Sequence, residues 1–219
     1  MKRICFVGAS TTEGQGDAQG LGWAGRLVAR LHPEPTSGAS PRPAVYNLGV
    51  RGQALAQIAA RAPGECAARL PRGREGRIVL SPGVNDLAFI DEDGARVPRT
   101  PWPQTLETFE GLVEALSAIA PLLVVGPAPV DEALMPFRSV VSGLCLHFTN
   151  ARIAEADAAY ARVCMSRGVP YVSVLEALLA DTAYCGDLSA GDGLHPAAPG
   201  YGAQAERLAA DRAVREHLG

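Results

Sequence analysis

Five short apolar runs alternate with longer stretches of helical period along this 219-residue chain, and that alternation leaves few architectures open. The runs are Arg3–Gly8, Ala44–Gly49, Arg77–Ser81, Pro121–Gly126 and Val169–Val174. Each is rich in Val, Ile or Leu and bounded by Gly or Pro, as expected of strands covered on both faces. The helical stretches are Leu21–Leu31, Ala54–Leu70, Thr105–Ala120, Leu146–Arg167 and Gly200–Leu218. In one of them Leu106, Phe109, Val113, Leu116 and Ala120 recur at three- and four-residue steps, which marks a buried face. Strands alternating with helices imply parallel pairing with right-handed crossovers. The expectation is an α/β fold: a three-layer α/β/α sandwich around a parallel sheet of about five strands.

The length suits one domain spanning residues 1–219, and no linker or compositional break divides it. Pro33–Pro43 and Asp91–Pro103 read as loops. Net charge is −3 and no basic stripe exists, so nucleic acid is not an expected partner. The apolar run after Lys2 and Arg3 stops too soon for a signal peptide, and no run reaches membrane-spanning length. The expectation is therefore a cytoplasmic location without membrane association. The five cysteines (Cys5, Cys66, Cys145, Cys164, Cys185) are odd in number and show no CxxC spacing, which argues against a disulfide framework or a zinc site. They read as small buried hydrophobes.

In an open parallel sheet, ligands bind outside the carboxyl ends of the strands. The first four runs lead in turn into Ala9-Ser10-Thr11-Thr12, Val50-Arg51-Gly52, Pro82-Gly83-Val84-Asn85-Asp86 and Pro127-Ala128-Pro129. Gly191-Asp192-Gly193-Leu194-His195-Pro196 precedes the last helical stretch. Ser10 is placed at the sheet rim, although Ser10-x-x-Glu13 also matches a helix capping box. Gly14, Gly16, Gly20 and Gly22 would interrupt such a helix at once. His195 lies in a Gly/Pro-bounded loop three residues after Asp192, whose carboxylate can fold back onto its Nδ1–H. His32 and His217 read as surface residues, and His147 as an ordinary helix residue. Asn85 can donate its side-chain amide to an oxyanion, and the Gly49 N–H can be a second donor. Each of these loops also has a plainer reading as a turn.

The order of these blocks is more specific than any one of them. Gly8-Ala9-Ser10, Gly49, Gly83-Val84-Asn85-Asp86 and Asp192-Gly193-Leu194-His195-Pro196 resemble the blocks of the SGNH (GDSL esterase/lipase) hydrolases over nearly the whole chain. That family has a flavodoxin-like sandwich. The resemblance implies Ser10 as nucleophile, His195 as base with Asp192 orienting it, and an oxyanion hole from Ser10 N–H, Gly49 N–H and the Asn85 side chain. No metal or organic cofactor is implied. Ala9 stands where the family's first block usually has Asp, a residue that helps to hold the nucleophile loop.

The implied activity is hydrolysis of small or short-chain carboxylic esters through an acyl-enzyme, with a small-molecule ester as partner. An acyl-CoA thioester or a carbohydrate O-acetyl group would suit the same triad. A non-catalytic platform or a phosphate-binding flavodoxin-like module are readings from another class; neither GxGxxG nor GxxxxGK[ST] is present. No GxSxG pentapeptide surrounds a serine, so the α/β-hydrolase nucleophile elbow is absent. The loops Asp91–Pro103 and Val130–Ser142 should wall the pocket, with Phe89, Trp102, Met135 and Phe137 as lining or as loop anchors. Arg51 and Arg138 are candidates for attracting an anionic substrate.

Overall fold

The computed structural model describes residues 2–33, 42–70 and 75–219. Most of Pro33–Pro43, expected to be a loop, lies outside them. The chain begins with β1 (Arg3–Gly8), α1 (Ser10–Glu13), α2 (Gly22–Leu31), β2 (Ala44–Gly49), α3 (Leu55–Arg69) and β3 (Gly76–Leu80). It continues through β4 (Phe89–Glu92), β5 (Ala95–Pro98), α4 (Trp102–Ser117), β6 (Leu122–Val125), β7 (Phe137–Arg138) and β8 (Cys145–Leu146). It ends with α5 (Asn150–Ser166), β9 (Tyr171–Val172), α6 (Leu175–Leu179), α7 (Thr182–Ala190), α8 (Ala198–Ala210) and α9 (Arg212–Leu218).

The five apolar runs form one sheet in the order β2-β1-β3-β6-β9, with every pairing parallel. Successive side chains point to opposite faces, so each run feeds two cores. Cys5, Val7, Ile78, Leu80, Leu122 and Val124 pack with α3, α4 and α5. Ile4, Phe6, Val79, Leu123 and Val125 pack with Trp23, Leu27, Tyr201 and Leu208 on the other side. This is the expected three-layer α/β sandwich. The connection from β1 runs to β2 on one side, and the next, from β2 through α3, returns past β1 to β3 on the other; this reversal opens a crevice beyond the carboxyl ends of β1 and β3.

Several boundaries differ from expectation for identifiable reasons. Helix α4 starts at Trp102 rather than Thr105, because proline is accommodated in the first turn, where its missing N–H has no helical partner. The last helical stretch splits at Asp211, whose side chain accepts from Val214 N at 3.1 Å and starts a new helix. Asp91–Pro103 is not a plain loop: it holds most of an antiparallel hairpin, β4 paired with β5. His147 lies outside α5 and bridges to Phe89. His217 is buried instead of exposed, with Nε2 3.0 Å from Ile78 O. His32 is half-buried, its Nε2 3.0 Å from Leu218 O. The five cysteines are free thiols. Among the described residues no helix is long and apolar enough to cross a membrane.

Candidate active site

Ser10 is the first residue of α1, a single turn that starts as β1 ends. Glu13 N donates to Ala9 O, and Gly14 N and Gln15 N both donate to Ser10 O, each at 3.0 Å. Gly14 then adopts φ 96°, a left-handed conformation that suits glycine and stops the helix. The Ser10 hydroxyl does not cap this turn. It lies 2.8 Å from His195 Nε2 instead. Ala9 is buried in the core beside α3. The α1 turn is held by these backbone bonds and by Asn47, whose Nδ2 donates to Thr12 O at 2.8 Å, with no carboxylate at position 9.

His195 Nδ1 lies 2.8 Å from Asp192 Oδ2. The other oxygen, Asp192 Oδ1, accepts from Leu194 N at 2.9 Å and His195 N at 2.8 Å. Burial by itself would raise the Asp192 carboxyl. The His195 ring and these two N–H donors outweigh it and hold the group below the ordinary carboxylate range. An ionised carboxylate only accepts, so the imidazole proton sits on Nδ1 and Nε2 is left to accept from the Ser10 hydroxyl. Ser10 and His195 are buried, and Asp192 keeps an exposed edge. The loop carrying Asp192 is set by α7, because Gly191 N and Gly193 N both donate to Leu188 O at 3.1 Å.

Asn85 comes from the turn after β3 and is also buried. One of its amide hydrogens goes to Gln53 O at 2.9 Å, which leaves the second free to donate. Ser10, Asn85 and His195 share a small cleft with Gln15, Gly52, Phe137, Ser139, Val140, Val141, Leu146 and Leu194. The free space in it is about 20 Å³, room for about one water molecule.

Gly49 requires a correction. Its N–H donates to Asn47 Oδ1 at 3.0 Å, and the Glu13 backbone fills the space a Cβ would need. It packs β2 against α1 and does not line the cleft. Gly52, three residues on, does line it, with φ 73°. The sequence signal for Gly52 is a second glycine in the same turn, where a positive φ demands one.

Of the expected pocket residues, Phe137 lines the cleft and meets the His195 ring edge-on, with centroids 5.4 Å apart. Trp102 lies under the Arg152 guanidinium, 4.3 Å from its ring centroid, and anchors α4 to α5. Phe89 pairs its backbone with His147, and Met135 packs partly buried against the core. Neither lines the cleft. Arg51 is engaged with Glu13 at 2.9 Å, and Arg138 is exposed on β7. Ser139, Val140 and Val141, inside the loop Val130–Ser142 expected to wall the pocket, complete the wall. Nothing in the sequence singles them out within that loop, because the paired stretches flanking them, β7 and β8, are two residues each and leave no periodic pattern.

The chain is similar in fold to a lipase/acylhydrolase from Enterococcus faecalis, at TM-score 0.69 and 20% identity, covering 100% of this chain and 98% of that one. It is similar to the native M. smegmatis aryl esterase, at TM-score 0.69 and 18% identity, covering 100% of both. It is also similar to a catalytic mutant of an acetylxylan esterase from Geobacillus stearothermophilus, at TM-score 0.64 and 14% identity, covering 100% and 94%. No protein of curated function matches it by sequence. The family model for the GDSL-like lipase/acylhydrolases matches residues 6–203, nearly the full chain, and this chain belongs to that family.

Proposed function

We propose that the protein is a serine esterase acting on small acyl esters through an acyl-enzyme on Ser10. The observation that carries this reading is the unbroken hydrogen-bond chain from Asp192 through His195 to Ser10, opening on a cleft that Asn85 also faces. In this reading His195 Nε2 takes the Ser10 proton as Oγ attacks the ester carbonyl, and Asp192 stabilises the imidazolium. The tetrahedral oxyanion accepts from Ser10 N–H at the start of α1, from Gly52 N–H and from Asn85 Nδ2. His195 then protonates the leaving alkoxide, and the C–O bond breaks to leave the acyl group on Ser10. Water, deprotonated by the same ring, attacks the acyl carbonyl and releases the carboxylic acid and Ser10.

The narrowness of the cleft supports a short acyl group over a long one. Its lining by Phe137, Val140, Val141, Leu146 and Leu194 favours an apolar ester over a sugar. The test is p-nitrophenyl acetate hydrolysis by the wild type and Ser10→Ala side by side. Activity lost in the variant is the expected result; equal activity in both sinks the assignment of the nucleophile. Acetylated sugars and acetyl-CoA assayed in parallel separate ester, carbohydrate and thioester preference.

A further inference from the structure

A polar cluster behind the cleft has no part in the acyl-transfer steps. Arg99, at the exit of the β4–β5 hairpin, donates from Nη2 to Gly52 O at 3.1 Å and from Nη1 to Asn85 O at 3.3 Å. These are the two residues that carry the loop-borne oxyanion donors in the proposed reading. The same two segments are joined again by Asn85 Nδ2 donating to Gln53 O at 2.9 Å, and by Asp86 Oδ2 accepting from Leu55 N at 2.7 Å. Asp86 Oδ1 accepts from Thr100 Oγ1 at 3.0 Å, next in the chain to Arg99. Burial works against the Arg99 charge, and the nearby Asp86 carboxylate favours it. Neither Arg99 nor Asp86 lines the cleft.

A guanidinium is a planar fork whose donors are fixed relative to one another, so one Arg can hold two carbonyls at a set separation; an ammonium cannot. Oxyanion donors act only when they lie about 2.7–3.1 Å from the position the oxygen takes up in the transition state. A misplacement of about 1 Å costs about 10² in rate. We propose that Arg99 is a positioning residue: it sets the spacing of the Gly52 and Asn85 loops and so preorganises the oxyanion hole without touching substrate. This rests on the reading of Ser10 as nucleophile and of Gly52 and Asn85 as donors.

The test is a double-mutant cycle on p-nitrophenyl acetate, with melting temperatures recorded for every variant. Arg99→Gln should lower kcat about 10- to 100-fold while KM moves less than about 3-fold, since the loss falls on the transition state. In an Asn85→Ala background the same change should cost less than about 3-fold, because residues acting through one another are not additive. Arg99→Lys keeps a charge beside Asp86 and covers the case in which the Gln variant does not fold. It should recover only part of the rate, and the cycle can be closed with it.

An active wild type with Arg99→Gln equal to it, with Arg99→Lys at full rate, or with effects that add fully to Asn85→Ala overturns the role of Arg99 alone. An inactive wild type, or activity surviving in Ser10→Ala, overturns the reading of the site and this inference with it.

Discussion

Asp192 performs two tasks with two oxygens. Oδ1 closes its own loop on two backbone N–H groups, and Oδ2 holds the His195 tautomer. Asp192→Asn can keep the first task while its amide NH₂ faces Nδ1 and forces the wrong tautomer. A drop in kcat on the order of 10³–10⁴ with little loss of melting temperature is expected, by analogy with a triad carboxylate changed to its amide. Because the folded carboxyl is held below its ordinary range, its ionised form persists as pH falls. Its contribution is complete above the ordinary carboxylate pKa and is lost only as pH drops through the lowered folded value. A pH–kcat profile of the wild type should therefore show no loss ascribable to Asp192 within the ordinary carboxylate range. Asn85→Ala should cost about 10²–10³ in kcat, the scale of one oxyanion donor; an unchanged kcat would remove Asn85 from that role.

At the scale of elements, the β7–β8 hairpin forms one wall of the cleft. Val141 reaches over Gly52 and lines the cleft although it is largely solvent-exposed, and Val140 beside it is 91% exposed. Val141→Ala should enlarge the acyl space, so the ratio of p-nitrophenyl butyrate to acetate turnover should rise; an unchanged ratio would place the acyl group elsewhere. Helix α7 delivers the Asp192 loop and is started by Asp181, which accepts from Ala183 N at 3.0 Å and Tyr184 N at 3.1 Å. Asp181→Ala should cost about 1 kcal/mol of stability, read by thermal or urea unfolding, as loss of an N-cap does.

For the molecule as a whole, the end of the sandwich away from the cleft is closed by α9. His217 is buried there against Ile78 O, and Arg77 Nε donates to His217 O at 2.9 Å. Burial pushes the His217 pKa down to about 4 from its ordinary 6.5. Between those values the unfolded chain binds a proton that the native state does not, so stability falls as pH is lowered from about 6.5 to about 4, by about 2–3 kcal/mol. Urea unfolding at pH 7 and pH 4.5 should show this decrease, and His217→Asn should reduce it. Sequence alone puts this residue on the surface, because two positions from the C-terminus nothing local distinguishes an exposed helix end from one folded against the sheet. The layer order, the five parallel strands and the placement of Ser10, Asn85, Asp192 and His195 on one sheet edge were legible in the sequence. The fold follows from local patterning, since a buried parallel strand is a continuous apolar run. Ser10 and Asn85 stand where such runs end, at the side of the sheet where ligands bind, and Asp192 and His195 are marked by their spacing in a Gly/Pro-bounded loop before the last helical stretch. Gly49 against Gly52, which residues of the Val130–Ser142 loop reach the cleft, the burial of His217 and the Arg99 clasp were decided only by tertiary structure. Each depends on which groups from distant segments meet, and a hydrogen bond across 47 residues, from Arg99 to Gly52, leaves no mark on the residues beside it in the chain.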